Sequence, residues 1–253
     1  VTGESRPNKF PSTKLVWKGR EDKRVLDYLN YSMADAKLGL LSISIEEIDS
    51  GFPVLGMDES YSIEIADQIK IEAGTSWGAI KAISTLYQLD LTRGLSTQIA
   101  ILDSPRFAWR GLLIDVARHF IPIIHLKKVL DGMALLKLNV LHLHLSDDQG
   151  FRFESLAFPE LASKEFYRQT ELVDLVAYAG NRGIRVIPEL DVPGHVTSWL
   201  VNYPEWGLRK TGLSTQFGVH RACLDPTSER LYQDLETLFS EILEVFPDEF
   251  FHI

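Results

Sequence analysis

From residue 111 to the last residue, short apolar runs alternate with amphipathic stretches, and this alternation limits the fold more than any other feature. Residues 111–116 read as a strand, and 125–137 carry Leu126, Val129, Leu130, Met133 and Leu136 at helical spacing. A second strand follows over 140–145. Thr170 is placed to cap a helix bearing Leu172, Leu175, Val176 and Ala179, with Gly183 suited to its C-terminal end. The third strand spans 184–190. Asp225-Pro226-Thr227 opens a long helix with Leu231, Leu235, Leu238, Ile242 and Val245 along one stripe, and Phe250 begins a fourth strand. Strand, helix, strand in this order implies parallel pairing through helical crossovers. An open doubly wound sheet and a (β/α)₈ barrel both satisfy it. No Gly-rich phosphate loop follows the first strand, which weakens the dinucleotide-binding version. Charged and His residues end all three complete strands, which favours a barrel, whose active site lies at that face.

Residues 106–253 fall well short of the roughly 250 of a typical barrel. Half a barrel would leave open strand edges and an uncovered core, so the sequence is expected to be the front half of a larger hydrolase. Ahead of it, 1–14 are polar, with Pro7 and Pro11, and read as a linker or trimmed end. Over 15–103 the pattern is mixed. A helix over 20–35 presents Val25, Leu26, Leu29 and Met33, and a strand spans 40–45. Residues 61–65 and 69–73 alternate strictly around Ala66-Asp67-Gln68 as a hairpin. A helix after Gly74 carries Ile80, Ile83, Leu86, Tyr87 and Leu91 on one face. This is a small α+β domain. Asp103-Ser104-Pro105-Arg106 marks its boundary, leaving 104–253 as a partial TIM barrel of about three and a half strand-helix units.

The net charge of −9 argues against nucleic acid, whose phosphates need Lys and Arg. No apolar run reaches the roughly 20 residues of a membrane span. The single Cys223 excludes an internal disulfide framework without fixing a compartment. A periplasmic, extracellular or lysosomal location is expected if a signal precedes Val1. Oligomeric state is not encoded in any motif.

Three clusters could carry chemistry. His142, His144, Asp147 and Asp148 lie on and just after the second strand. His-x-His on a strand points both rings to one face, suited to a metal or to hydrogen bonding inside a polar interior. Adjacent acids repel unless each has its own partner. Arg118, just past the first strand, can donate to hydroxyls or pair with Asp115 or a later acid. In Glu189-Leu190-Asp191-Val192-Pro193-Gly194-His195 the Pro-Gly turn lets His195 reach back over the strand end, where Asp147 could fix its tautomer. Trp199 and Trp206, with Tyr203 and Phe217 nearby, either stack on a sugar or pack within their loop, and packing is the simpler expectation.

Taken together these segments resemble family 20 glycoside hydrolases, the β-N-acetylhexosaminidases. The resemblance rests on 110–120 (RGLLIDVARHF), 137–152 (KLNVLHLHLSDDQGFR) and 188–195 (PELDVPGH), in that order and spacing. The N-terminal hairpin and the helix over 77–89 look like the small domain preceding the barrel in that family. By the resemblance, Arg118 binds hydroxyls of the terminal sugar. Asp147 and His195 form a pair supporting the general acid, and Glu189 and Asp191 are acidic substrate-binding positions. The family's Asp-Glu dipeptide lies in a His-x-Gly-Gly-Asp-Glu motif whose first two positions match His252-Ile253, so the acid and the acetamido-polarising residue are expected beyond Ile253.

The resemblance further implies a retaining, substrate-assisted hydrolysis of terminal GlcNAc or GalNAc from oligosaccharides or glycoconjugates, in which the 2-acetamido oxygen attacks the anomeric carbon. It implies no metal and no organic cofactor. The 253-residue chain alone is expected to be inactive. Two other readings stay open: a metal-dependent barrel hydrolase using His142 and His144, and a non-catalytic glycan-binding protein.

Overall fold

The computed structural model describes residues 13–34, 36, 38–47, 51–89 and 98–253. They form a mixed α/β fold in two compact units, one comprising 1–110, 130–139 and 180–184, the other 111–129, 140–179 and 185–253.

The first unit is a five-stranded sheet. Its strands are β1 (Thr13–Lys18), β2 (Gly39–Glu47), β3 (Tyr61–Ile65), β4 (Ile69–Thr75) and β5 (Ile99–Asp103), in the order β1-β2-β4-β3-β5. β1, β2 and β4 run parallel, while β3 is antiparallel to β4 and β5. Alternation in β3 and β4 buries Tyr61, Ile63, Ile65, Ile69, Ile71 and Ala73 on one face. That apolar face is matched by α1 (Lys23–Ser32), capped by Asp22, and α2 (Ser76–Gln88), capped by Thr75. α2 buries Trp77, Ile80, Ile83 and Leu86, but Tyr87 is 52% exposed. At 100° per residue it falls on the expected face between Ile80 and Ile83, and its exposure follows from its place in the last turn of the helix. Leu91, most of the expected leading segment 1–14 and Asp35 at the end of the expected first helix lie outside the described residues. β1 and β5 were not legible as strands.

In the second unit β7 (Val140–Asp147) is central. β6 (Gly111–Asp115) pairs with it on one side and β9 (Arg185–Leu190) on the other, both parallel, and the short β8 (Gly150–Phe151) turns back on its end. α3 (Ile123–Leu135), α4 (Gln169–Gly180) and α6 (Glu229–Val245) follow β6, β8 and β9 in the chain, with the single turn α5 (Thr197–Leu200) before α6. Among the described residues the sheet does not close into a barrel. β9 is buried along its whole length, as a strand covered on both faces must be.

Three expected details differ. Thr170 lies inside α4 rather than capping it; the Glu171 carboxylate instead accepts the Arg168 N–H, 2.9 Å away. The long helix starts at Glu229, because Asp225 folds an Asx turn onto Thr227 and Ser228 takes the cap by accepting from Leu231 N–H. The fourth strand is a single parallel bridge, with His252 N–H donating to Pro188 O at 3.0 Å and Leu190 N–H to His252 O at 3.1 Å.

Candidate active site

The site is assembled at the C-terminal ends of β6, β7 and β9, and every residue in it belongs to the second unit. Register shifts between His144 and Ser146 where β7 meets β9. Such an irregularity re-aims the residues beyond it, here Asp147 and Asp148.

The adjacent acids are reconciled by distinct partners. Asp147 Oδ2 lies 2.6 Å from Arg118 Nη2 and 2.9 Å from His144 Nε2, and Oδ1 lies 3.1 Å from His195 Nδ1. The Asp148 N–H also donates to Oδ1, at 2.7 Å. Asp148 accepts the Thr197 N–H at 3.0 Å and lies 3.3 Å from His195 Nδ1. Burial would raise the Asp147 carboxyl, but its bonds to His144, the Asp148 amide, Arg118 and His195 outweigh that and hold it below its ordinary value.

Arg118 is aimed from both sides. Asp115 Oδ1 accepts the Ala117 and Arg118 N–H groups, each at 3.0 Å, which turns the chain just past β6. The guanidinium reaches Asp115 at 2.8 Å, Asp147, and Gln149 Oε1 at 3.1 Å. Both the ion pairs anticipated for an Arg here and a partly open guanidinium coexist, since its side chain remains 24% exposed. Arg152 was missed as a site residue. Its buried guanidinium donates to Val116 O (2.9 Å), Ala117 O (2.7 Å) and Glu165 O (2.8 Å), holding the loop that carries Arg118. Gly150 permits this, because a Cβ there would meet the Arg152 guanidinium and Ala117 O within 3 Å. Gly150-Phe151-Arg152 was visible in the chain, but nothing local told that this Arg points inward. Replacing Arg152 by Met should lower stability by about 2–3 kcal/mol, because buried carbonyls lose charge-assisted donors. Chemical unfolding checks this, and a change under about 0.5 kcal/mol, the scatter of surface substitutions, would contradict it.

Glu189 is the second hub. Its Oε2 lies 2.7 Å from His142 Nε2 and 2.8 Å from His144 Nδ1, and Oε1 lies 3.1 Å from His252 Nδ1. The two histidines of His-x-His thus share one carboxylate. Burial would raise Glu189, but His142 and His144 hold it well below the carboxylate range. Burial would lower His144, but Asp147 and Glu189 lift it to about 9. Asp191 is raised, chiefly by burial.

These shifts set a pH window for stability. His144, raised from 6.5 on folding, stabilises in full below that value and loses its contribution as pH climbs through about 9. Glu189, lowered from 4.5 on folding, stabilises above that value and loses its contribution as pH falls. The thermal midpoint should therefore peak between pH 4.5 and 6.5. In His144→Gln the alkaline decline should flatten, and an unchanged decline there would contradict the assignment.

His195 sits after the Pro193-Gly194 turn with φ of 52°, a left-handed conformation that costs a non-Gly residue about 1–2 kcal/mol. Packing of α5 holds the turn. Ser198 donates to Asp147 O at 2.6 Å and Trp199 Nε1 to Ser146 Oγ at 2.5 Å. Trp199 and Trp206 are buried, Trp206 donating to Asp234 at 3.1 Å, so they pack within the loop as the simpler expectation held. Phe217 is exposed, near His119.

Among the described residues three sets of groups lie close enough to hold a cation: His142, Glu189 and His252; His144, Asp147 and Asp191; and Asp147, Asp148 and His195. In the second set His144 is held protonated well above neutrality, which opposes ligation by a ring nitrogen.

Residues 107–253 match the family model described as "Glycosyl hydrolase family 20, catalytic domain", and 4–89 match "beta-acetyl hexosaminidase like". The chain is 38% identical over 231 residues to the beta-hexosaminidase subunit beta of Homo sapiens, and 35% identical over 242 residues to a beta-hexosaminidase of Emericella nidulans. These matches cover 85% and 87% of this chain but only 40% of each relative, so the chain spans about two fifths of their length. Among solved structures it resembles the chitobiase of Flavobacterium johnsoniae (TM-score 0.83, 33% identity, 100% of this chain and 43% of that one). It also resembles the family 20 β-N-acetylhexosaminidase of Streptomyces coelicolor A3(2) (TM-score 0.84, 28% identity, 98% and 56%).

Proposed function

This chain belongs to glycosyl hydrolase family 20, and from that premise we propose that its intact protein removes terminal non-reducing N-acetylhexosamine from β-linked glycans. The observation that carries this reading is the Asp147 carboxylate, which joins Arg118, His144 and His195 from the ends of three strands. In the proposed reaction the substrate's own acetamido oxygen attacks the anomeric carbon, and a general acid protonates the leaving oxygen. That acid and the residue polarising the acetamido group are assigned to positions beyond Ile253. The domains are proposed as a small α+β domain over 15–103 followed by the opening of a (β/α)₈ barrel from 104.

Each residue of the chain takes a part in this scheme. The Arg118 guanidinium is held by Asp115, Asp147 and Gln149, with Nη1 also 3.2 Å from His144 Nε2, and its open edge donates to hydroxyls of the terminal sugar. With Nδ1 held by Asp147, the His195 ring is fixed and its Nε2 edge is left to position the acid. Asp191 is the substrate-binding acid of the β9 end, while Glu189 serves the same pocket by orienting His142, His144 and His252. Because both His-x-His rings answer to Glu189, hydrolysis is proposed to need no metal.

The intact protein should release the aryl group of an aryl β-N-acetylglucosaminide with the β-anomer as first product by NMR, equally well after chelation. Inversion of configuration, or activity lost to chelator and restored by zinc, would replace this reading with the metal-dependent one. The 253-residue chain alone should show no turnover.

A further inference from the structure

The unit built on the five-stranded sheet holds a polar cluster that the proposed chemistry does not use. Lys81, on α2, is 2% exposed, and its Nζ has no hydrogen-bond partner among the described residues. The nearest carboxylate oxygen is Glu59 Oε1, 3.4 Å away. Glu59 is already engaged: Arg110 Nη2 lies 2.7 Å from both of its oxygens, and Asn139 Nδ2 lies 3.3 Å from Oε2. Lys81 is thus a buried ammonium with a long ion pair on one side and no well-formed hydrogen bond among the described residues. Buried cations are ordinarily paired and fully bonded.

Lys81 does not face closed protein. It lines a cavity of about 410 Å³ together with Arg106, Arg110, Lys137, Asp103 and Tyr61. Asp103 is engaged in turn by Lys137 at 2.9 Å and Tyr61 Oη at 2.5 Å. Arg106 has no carboxylate partner among the described residues, and its guanidinium lies over the Phe107 ring, 4.6 Å from the centroid. The wall therefore carries Lys81, Arg106, Arg110 and Lys137 against Glu59 and Asp103, each acid bonded to a cation. The two cations in excess, Lys81 within and Arg106 at the rim, have no carboxylate of their own among the described residues.

We propose that this cavity is a binding site for a phosphate or sulfate group, free or carried on a small ester, with Lys81 Nζ as its inner ligand. Free phosphate or sulfate, or a phosphate monoester, brings close to two negative charges and at least three acceptor oxygens, matching the excess in number and the donors in kind, while a sulfate monoester brings one charge. A guanidinium at the rim suits bidentate capture, and an ammonium at the bottom acts as a point charge. The volume is of small-molecule size, with room for more than one oxyanion. Burial pushes the Lys81 ammonium down to about 8, with Glu59 pulling the other way. A bound anion would restore its proton, so affinity weakens as pH rises through that value.

The test is calorimetric titration of the intact protein with inorganic phosphate and with glucose 6-phosphate, at pH 7 and constant ionic strength. One saturable site is expected, weakened at least about tenfold in Lys81→Met and severalfold in Arg106→Ala. Methionine keeps the chain length and removes a costly buried charge, so Lys81→Met should melt no lower than the parent. Should that variant fail to fold, Arg106→Ala on the rim decides alone. Tighter binding of the sugar ester identifies an esterified ligand, and equal binding a free ion; either supports the site. No saturable binding, or equal affinity in the variants, overturns it.

Discussion

Asp147→Asn in the intact protein is expected to lower kcat on an aryl β-N-acetylglucosaminide by about 10²–10⁴-fold, with KM little changed. The amide can keep one bond to His195 or to His144 but cannot supply the negative charge that faces the Arg118 and His144 cations. His195 would then lose its fixed tautomer, and with it the means to serve the general acid. Asp147 acts through His195, so the pH–rate profile should change shape as well as height. Asp147→Ala should go further and lose roughly 3–5 kcal/mol of stability, because Arg118 and His144 are left facing each other without their shared carboxylate. A kcat within a fewfold of the parent in Asp147→Asn, with an unaltered profile, would remove Asp147 from the scheme.

Arg118→Ala is expected to weaken substrate binding by about 10²–10³-fold, the loss of two charge-assisted bonds to sugar hydroxyls at about 1.5–3 kcal/mol each, partly offset by water. Arg118→Lys should recover only a small part, since an ammonium keeps the charge but cannot span Asp115, Asp147 and a sugar at once. KM is the readout, with a competitive N-acetylhexosamine ligand as an independent measure of affinity. Unchanged KM and kcat in Arg118→Ala would refute the assignment.

Much of this architecture can be read from the chain because burial imposes periodicity. β3 and β4 alternate so strictly that their pairing and turn follow directly, and α6 announces itself by a stripe from Leu231 to Val245. The resemblance also drew together Arg118, Asp147 and His195, which lie at the ends of three separate strands that no local pattern connects. What stayed hidden has specific causes. In β5, Ile-Ala-Ile-Leu-Asp is apolar on both faces, with Leu102 88% exposed, so period 2 is invisible. β1 is a short strand whose lysines mask its apolar positions. The register shift after His144 depends on pairing with β9, some 40 residues later, and Arg152 acts on carbonyl groups that carry no sequence signature. Lys81 reads as one more helical lysine until its burial is seen.

The most direct test of the central claim compares two substrates of the intact protein, an aryl β-N-acetylglucosaminide and the matching aryl β-glucoside without the acetamido group. A substrate-assisted mechanism takes its nucleophile from that group. Turnover of the first and a rate at least about 10³-fold lower on the second is the predicted result, since an absent nucleophile cannot be replaced by tighter binding. Comparable rates on both, or no turnover of either, would contradict it.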